Sequence, residues 1–384
     1  VKMEALEILR GLDFNLCMQC ASCSGSCPIF TKSPINPRKL MLEIAYLFHS
    51  LKIYPPLDIK QMGYVWDCTT CSTCSSRCPR NAKPLDVIIN LRSYLIEKGL
   101  VPRTLGSMLE SVLKYGNPYG ISRSKRSEWA RDLKVKKVQD KGDASTLYFV
   151  GCAPSYDPRV QNVAKAIVCT LNLLNIDFFI LGNEENCCGN EVYSLGEKGL
   201  FEELASANME IFERYNVQDI ITTSPHCFNA FKVRYSERLN AMHYTMYLTD
   251  LIDRGKVKFS KSINKVITYH DSCYLGKHNS VYDEPRKILE SIPGVKLVEM
   301  AKSRKKSVCC EGGGGRMWHD IQGARLSEER VRDALAAGAE IIATACPFCL
   351  LTIEDSIKTM GVENKIVVKD IMELVVRAHP QSHP

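Results

Sequence analysis

The sequence lacks any apolar run of 18 or more residues, the length a helix needs to cross a bilayer, so the chain is read as having no membrane span of its own. The opening segment, VKMEALEILRGLDFNLC, spreads acids among its apolar residues. It therefore fails as a secretory signal and reads as a short amphipathic helix leading into the first cysteine motif. A phosphate loop is missing too, because no Lys-Ser/Thr pair follows the glycines Gly312–Gly315 at the required spacing. Nor is there a nicotinamide or flavin fingerprint, so two-electron donors are expected to enter through another subunit. One-signed charge blocks are scarce: the formal charge is +7, but its densest basic runs are Ser122–Arg126 and Lys134–Lys137. Both are read as a solvated linker, which argues against nucleic acid as a partner. With 45% hydrophobic and 24% charged residues, the composition is that of an ordinary globular chain. The expected location is cytoplasmic, with any membrane association made through a partner.

Cysteine, by contrast, is abundant, with 18 residues. Tight C-x2-C spacings in a long chain without a signal favour metal over disulfides. Cys17-x2-Cys20-x2-Cys23-x3-Cys27-Pro28 is one run, and Cys68-x2-Cys71-x2-Cys74-x3-Cys78-Pro79 is another. Zinc knots are the alternative, but two complete four-cysteine runs closed by proline favour two cubane [4Fe–4S] clusters. The runs resemble those of bacterial two-cluster ferredoxins, whose fourth cysteine ligates the other cluster. That resemblance implies Cys17, Cys20, Cys23 and Cys78 around one cluster, and Cys68, Cys71, Cys74 and Cys27 around the other. Each cubane brings a charge of about −2, which offsets much of the basic excess.

Three regions follow. Residues 1–118 hold both runs, separated by helical pattern in PRKLMLEIAYLFHSL and followed by a second helix, LDVIINLRSYLIEKGL. Residues 119–145 turn polar and are expected to form a linker or exposed arm. The remainder is a duplication, at 146–258 and 259–379, with a tail at 380–384 expected to be disordered. TLYFVGC, FFIL and DIITTSPHC are strands of the first copy. KVITYHDSC, a strand around Lys296–Glu299 and EIIATACPFC answer them in the second. Strands alternating with helices imply two small α/β units with parallel sheets behind a helical dicluster domain, a mixed α+β and α/β architecture. The cysteines fall at the carboxyl ends of strands, where open α/β sheets place ligands.

The second copy offers Cys273, Cys309, Cys310, Cys346 and Cys349, one thiolate more than a cubane uses. Adjacent cysteines point apart, so the Cys309–Cys310 pair can span two irons of an open cluster, and thiolate is the soft ligand iron–sulfur sites select. This arrangement resembles the CCG domains of the heterodisulfide reductase family. The whole chain resembles the D-type subunit of that family, equivalent to fused C-type and B-type subunits. The resemblance implies a noncubane [4Fe–4S] cluster in the second copy that reduces a disulfide in two one-electron steps. It also implies redox partners, a flavoprotein or a membrane cytochrome, and a small thiol or disulfide substrate. A second reading is a pure electron-transfer component of a dehydrogenase, electron-transfer flavoprotein or bifurcating complex, and a third makes both copies structural.

Two departures stand out. Glu311 replaces the glycine after the second Cys pair, suggesting that the glycine function has moved one residue along, with a carboxylate near the cluster. In the first copy Ser224 replaces a cysteine, leaving Cys152, Cys187, Cys188 and Cys227 for zinc or a further [4Fe–4S] cluster, without catalysis. Gly312–Gly315 is read as a close approach of backbone to cluster sulfides. His270, Asp271, Lys277, Arg316 and His319 are candidates for binding an anionic thiol or donating protons, against ordinary strand-end polarity. His226 is read as structural, and Cys169 as a buried core cysteine.

Overall fold

The computed structural model describes residues 11–48, 59–321, 323 and 325–379. Most of the expected N-terminal helix (1–10) and the tail (380–384) lie outside the described residues. Among them, no helix is long and apolar enough to cross a membrane.

The N-terminal region is helical because its apolar residues recur every three or four positions. Helix α1 (Pro37–Phe48) buries Leu40, Met41 and Ile44. Helix α2 (Pro84–Glu97) starts with proline and buries Leu85, Ile88, Leu91 and Leu95. Each such side chain contributes roughly 1.5–3 kcal/mol when fully buried. Gly99, at φ +69°, ends it: the amide of Leu100 donates back to the Leu95 carbonyl. Helix α3 (Arg103–Tyr115) completes the layer and stops at Gly116, also left-handed.

Two parallel sheets follow. The first has the order β1-β3-β2-β4-β5, from β1 (Lys136–Lys137), β2 (Thr146–Phe149), β3 (Phe179–Ile180), β4 (Asp219–Thr222) and β5 (Asn240–His243). The second has the order β7-β6-β8-β9, from β6 (Lys265–Tyr269), β7 (Val295–Val298), β8 (Ile341–Thr344) and β9 (Val367–Asp370). Helices α4 (Pro158–Leu173), α5 (Lys198–Arg214), α6 (Pro225–Val233) and α7 (Tyr244–Asp253) belong to the first unit. Helices α8 (Glu284–Ser291), α9 (Leu326–Ala336), α10 (Pro347–Thr359) and α11 (Ile371–Ala378) belong to the second. In each unit the first long strand lies beside the third, β2 by β4 and β6 by β8. Their carboxyl ends, carrying Cys152 and Cys227 or Cys273 and Cys346, therefore meet.

Residues 119–145 are not an exposed arm. Arg126, Trp129 and Ala130 are buried, and Lys136–Lys137 extends the first sheet beside β3. The basic run ending at Arg126 is thus not wholly solvated: that guanidinium forms a buried ion pair with Glu185 at 2.7 Å. Cys169 sits on α4 and is half-buried rather than in the core.

Candidate iron–sulfur centres

All 18 cysteines are free thiols. In the N-terminal region they converge on two small cavities. Cys17, Cys20, Cys23 and Cys78 line one; Cys27, Cys68, Cys71 and Cys74 line the other. Each cavity thus takes three cysteines from one run and the fourth from the other. The loops are held in strained form, with Gln19, Ala21, Thr70 and Ser72 all at positive φ. Each such residue costs about 1–2 kcal/mol, and strain of this kind collects at functional sites. Backbone amides point toward sulfur beside such residues: Thr70 N donates to Cys68 Sγ at 3.4 Å, and Ala82 N, between Asn81 and Lys83 at positive φ, to Cys78 Sγ at 3.2 Å. The sites differ in exposure. Cys20 is open to solvent, whereas Cys71 and Cys74 are buried.

The second α/β unit gathers its five cysteines in a dry site, all at most 7% exposed. Cys310 Sγ lies 3.1 Å from Cys349 Sγ. Cys273 is hydrogen-bonded to Cys309, and burial adds to that bond in pushing its thiol well up. Cys310 is held well below the ordinary thiol range by bonds from Cys309 and Cys349. Burial opposes ionisation at Cys346, but bonds from Cys349 and His226 outweigh it and bring that thiol down as well. Such a set fits an iron–sulfur group: soft donors, crowded sulfurs, and thiolate character that a cation would complete. His270 is buried, its Nδ1 has no hydrogen-bond partner, and a ring nitrogen lies within 4.8 Å of the Cys310 and Cys349 sulfurs. Burial, reinforced by Arg330, holds its imidazole neutral, down to about 3.

In the first unit Cys152, Cys187, Cys188 and Cys227 line one cavity together with Ser224. Neighbouring thiols are linked by hydrogen bonds, Cys152 to Cys187 and Cys188 to Cys227. Ser224 caps α6 by accepting from His226 N at 3.2 Å, at the position Cys346 holds before α10. Arg126 Nη2 lies 3.6 Å from Cys152 Sγ.

The polar residues around the second unit do other work than their spacing suggested. Glu311 has not handed its role to the next glycine. It adopts φ +71°, matching Gly189 at +78° in the first unit, and Gly312 has no positive φ. Its carboxylate accepts from Leu326 N at 2.9 Å and Ser327 Oγ at 3.2 Å, at the start of α9. The glycines approach the ferredoxin loop: a Cβ at Gly313 would stand 2.8 Å from the Thr69 carbonyl oxygen, and one at Gly314 2.4 Å from that of Cys68. Asp271 is consumed by a buried ion pair with Arg286 at 2.7 Å. His319 bonds Thr104 on α3, and Arg316 Nη1 donates to the His319 carbonyl.

His226 does more than brace its own unit. Its Nδ1 lies 2.8 Å from Glu191 Oε1, and its ring also bonds the Cys346 sulfur of the second unit. Burial opposes the imidazolium, but Glu191 and Cys346 outweigh burial and hold it up to about 10. Glu191 and Arg92, which the sequence did not single out, join all three regions. Arg92 is fully buried and donates to the carbonyls of Val65, Trp66, Cys68, Ser194 and Gly314. The sequence signal for it is an arginine whose neighbours three and four residues away on α2, Ile88, Ile89, Leu95 and Ile96, are all apolar. Finally, the Cys71 and Cys309 sulfurs share a hydrogen bond, so the second ferredoxin loop abuts the five-cysteine site.

Comparison with known proteins agrees with this division. A 4Fe-4S dicluster domain matches residues 13–82, and a Cysteine-rich domain (CCG) matches twice, at 146–232 and 267–354. Over 98% of its length the chain is 38% identical to a probable iron-sulfur-binding oxidoreductase, FadF, of Bacillus subtilis. It is 31% identical over 96% to EtfAB:quinone oxidoreductase of Syntrophomonas wolfei. It spans only 61% and 58% of those two proteins. The D-type subunit of dihydromethanophenazine:CoB--CoM heterodisulfide reductase from Methanosarcina barkeri is 33% identical, with 97% of this chain and 96% of that one covered.

Proposed function

Because this chain belongs to the family of iron–sulfur proteins typified by the D-type heterodisulfide reductase subunit, we propose that it carries electrons between a redox partner and a five-thiolate centre in its second CCG unit, where a disulfide or similar two-electron acceptor reacts. The observation that carries this reading is the sulfur contact between Cys71 and Cys309, which joins the dicluster domain to the second CCG unit. When bound, the clusters supply one-electron carriers. Cys17, Cys20, Cys23 and Cys78 would hold the first cubane, and Cys27, Cys68, Cys71 and Cys74 the second. Cys273, Cys309, Cys310, Cys346 and Cys349 would hold a noncubane cluster. At that last site two electrons and two protons convert a disulfide into two thiols. Burial keeps water out, while His226 brings positive charge toward Cys346 and Lys277 toward the adjoining Cys71. The first unit, with four thiols and a serine, would hold zinc or a further cluster without catalysis.

Anaerobic EPR tests the reading. Thiol added under oxidising conditions is expected to give a paramagnetic signal that a Cys310→Ser variant lacks, with about twelve irons per chain at four per cluster. An unchanged spectrum favours a second reading, a relay whose CCG units dock partners. The name of the Syntrophomonas relative, which couples EtfAB to quinone, supports that alternative. In either case the partners are other redox proteins, a flavoprotein or a membrane cytochrome.

A further inference from the structure

Arg92 and Lys277 both bond the loop that carries the second cubane site. Arg92 is 0% exposed; its guanidinium stands over the Trp66 ring and hydrogen-bonds to carbonyl oxygens, the shortest contact being 2.7 Å to Cys68 O. Lys277 is half-buried and divides its ammonium between Thr73 Oγ1 and the Ser307 carbonyl, both at 2.6 Å. Among the described residues neither has an acid within ion-pair distance, and Glu191, the carboxylate acting most strongly on Arg92, is itself paired with His226. A buried cation is normally paired, because an isolated charge in a low dielectric is costly. Carbonyl dipoles satisfy the hydrogen bonds of Arg92 but supply no counter-charge. What Arg92 and Lys277 share is proximity to one site: Arg92 Nη2 bonds the Cys68 carbonyl at 2.7 Å, and the Thr73 Oγ1 that Lys277 bonds lies 3.2 Å from Cys71 Sγ.

The first cubane site is built differently. Arg38 and Arg80 line it, and both are exposed, as is Cys20. Water and salt screen charges there, whereas a buried charge acts through a lower dielectric.

From this asymmetry we propose that Arg92 and Lys277 are the counter-charges of the second cubane and hold its reduction potential above that of the first. Accepting an electron makes a bound cluster more negative. Burial alone opposes that step, and two fixed cations favour it. The second site is then the more favourable resting place, directly beside Cys309, so charge placement gives the path a direction. Arg92 and Lys277 are positioning residues, not catalytic ones. This inference rests on the reading that both N-terminal sites hold cubanes.

The test is an EPR-monitored redox titration of the anaerobic full chain, comparing the parent with Lys277→Gln, Arg92→Gln and Arg92→Lys. Lys277→Gln keeps a donor for Thr73 while removing the charge. It is expected to shift the reduced-to-oxidised ratio of the second cubane at least tenfold toward oxidised, about 59 mV for one electron, leaving the first in place. Arg92→Gln is expected to shift it further, and Arg92→Lys, which keeps charge and loses most hydrogen bonds, much less. Should Arg92→Gln fail to fold, Lys277→Gln still decides. Unmoved potentials, or equal movement of both, in protein retaining its iron would overturn the inference. A parent chain with no iron at these cysteines would instead overturn the functional reading beneath it.

Discussion

Glu311 shows how one residue can break a local pattern and keep the fold. Its φ of +71° costs about 1–2 kcal/mol relative to glycine. Its carboxylate recovers that by accepting from Leu326 N and Ser327 Oγ at the first turn of α9. Glu311→Gly should therefore be close to neutral, since the strain is relieved as the bonds are lost. Glu311→Ala retains the strain, loses both bonds and should destabilise by about 1–3 kcal/mol. Anaerobic urea unfolding of the two variants checks this, and equal losses would show that the backbone conformation stores no strain. The substitution itself was visible in the sequence. Its use was not, because the carboxylate's partners lie 15 and 16 residues on, across a glycine loop whose path no periodicity describes.

At the scale of elements, helices and central strands followed from apolar spacing, and Pro37–Phe48 and Pro84–Glu97 begin within a residue of where that spacing put them. Of the sheet edges only β7 did, at Val295–Val298 against the strand expected around Lys296–Glu299; β1, β5 and β9 did not. The two-residue strand β1 lies in a polar stretch, and the carboxylate that pairs with the buried Arg126 ahead of it is Glu185, 59 residues away. The last strand and helix carry their own pH sensor. Asp370 caps α11, accepting from Met372 N at 2.9 Å and from Tyr244 Oη at 2.8 Å, while its Oδ2 has no partner. Burial raises this carboxyl from 3.8 to about 8. A carboxyl raised in the folded state binds its proton more tightly folded than unfolded. Its contribution is fullest below the unfolded pKa and is lost as pH rises through the folded one. Stability should thus fall between pH 4 and pH 8, roughly, by a few kcal/mol at most. Asp370→Asn should flatten that dependence and become the more stable form near pH 8.5. Denaturant midpoints at pH 5.5 and 8.5 measure it, and parallel curves for the two proteins would refute it.

At the scale of the whole molecule the three regions meet at one joint, and its members come from distant parts of the chain. Arg92 reaches Ser194 across 102 residues and Gly314 across 222. His226 of one CCG unit touches Cys346 of the other. The thiol inventory was legible because spacing encodes it; the joint was not, because nothing local marks which carbonyl an arginine will find. Gly314 is one of the tightest points of that joint. A side chain there would stand 2.4 Å from the Cys68 carbonyl oxygen, in a backbone at φ +68°. Gly338 provides a control, with φ +73° and no atom within 4 Å. Gly338→Ala should lose only the strain of a left-handed alanine, about 1–2 kcal/mol. Gly314→Ala must also push the Cys68 loop away from the second CCG unit, against backbone that cannot move aside cheaply. It should lose roughly 1–3 kcal/mol more than the control, as overpacked sites do, and should release iron from the site of Cys68, Cys71 and Cys74 before the first cubane is affected. Urea midpoints and iron content of the two variants, side by side, decide it: if they match, the loop and the glycine run are not in firm contact, and the route from Cys71 to Cys309 loses its mechanical support.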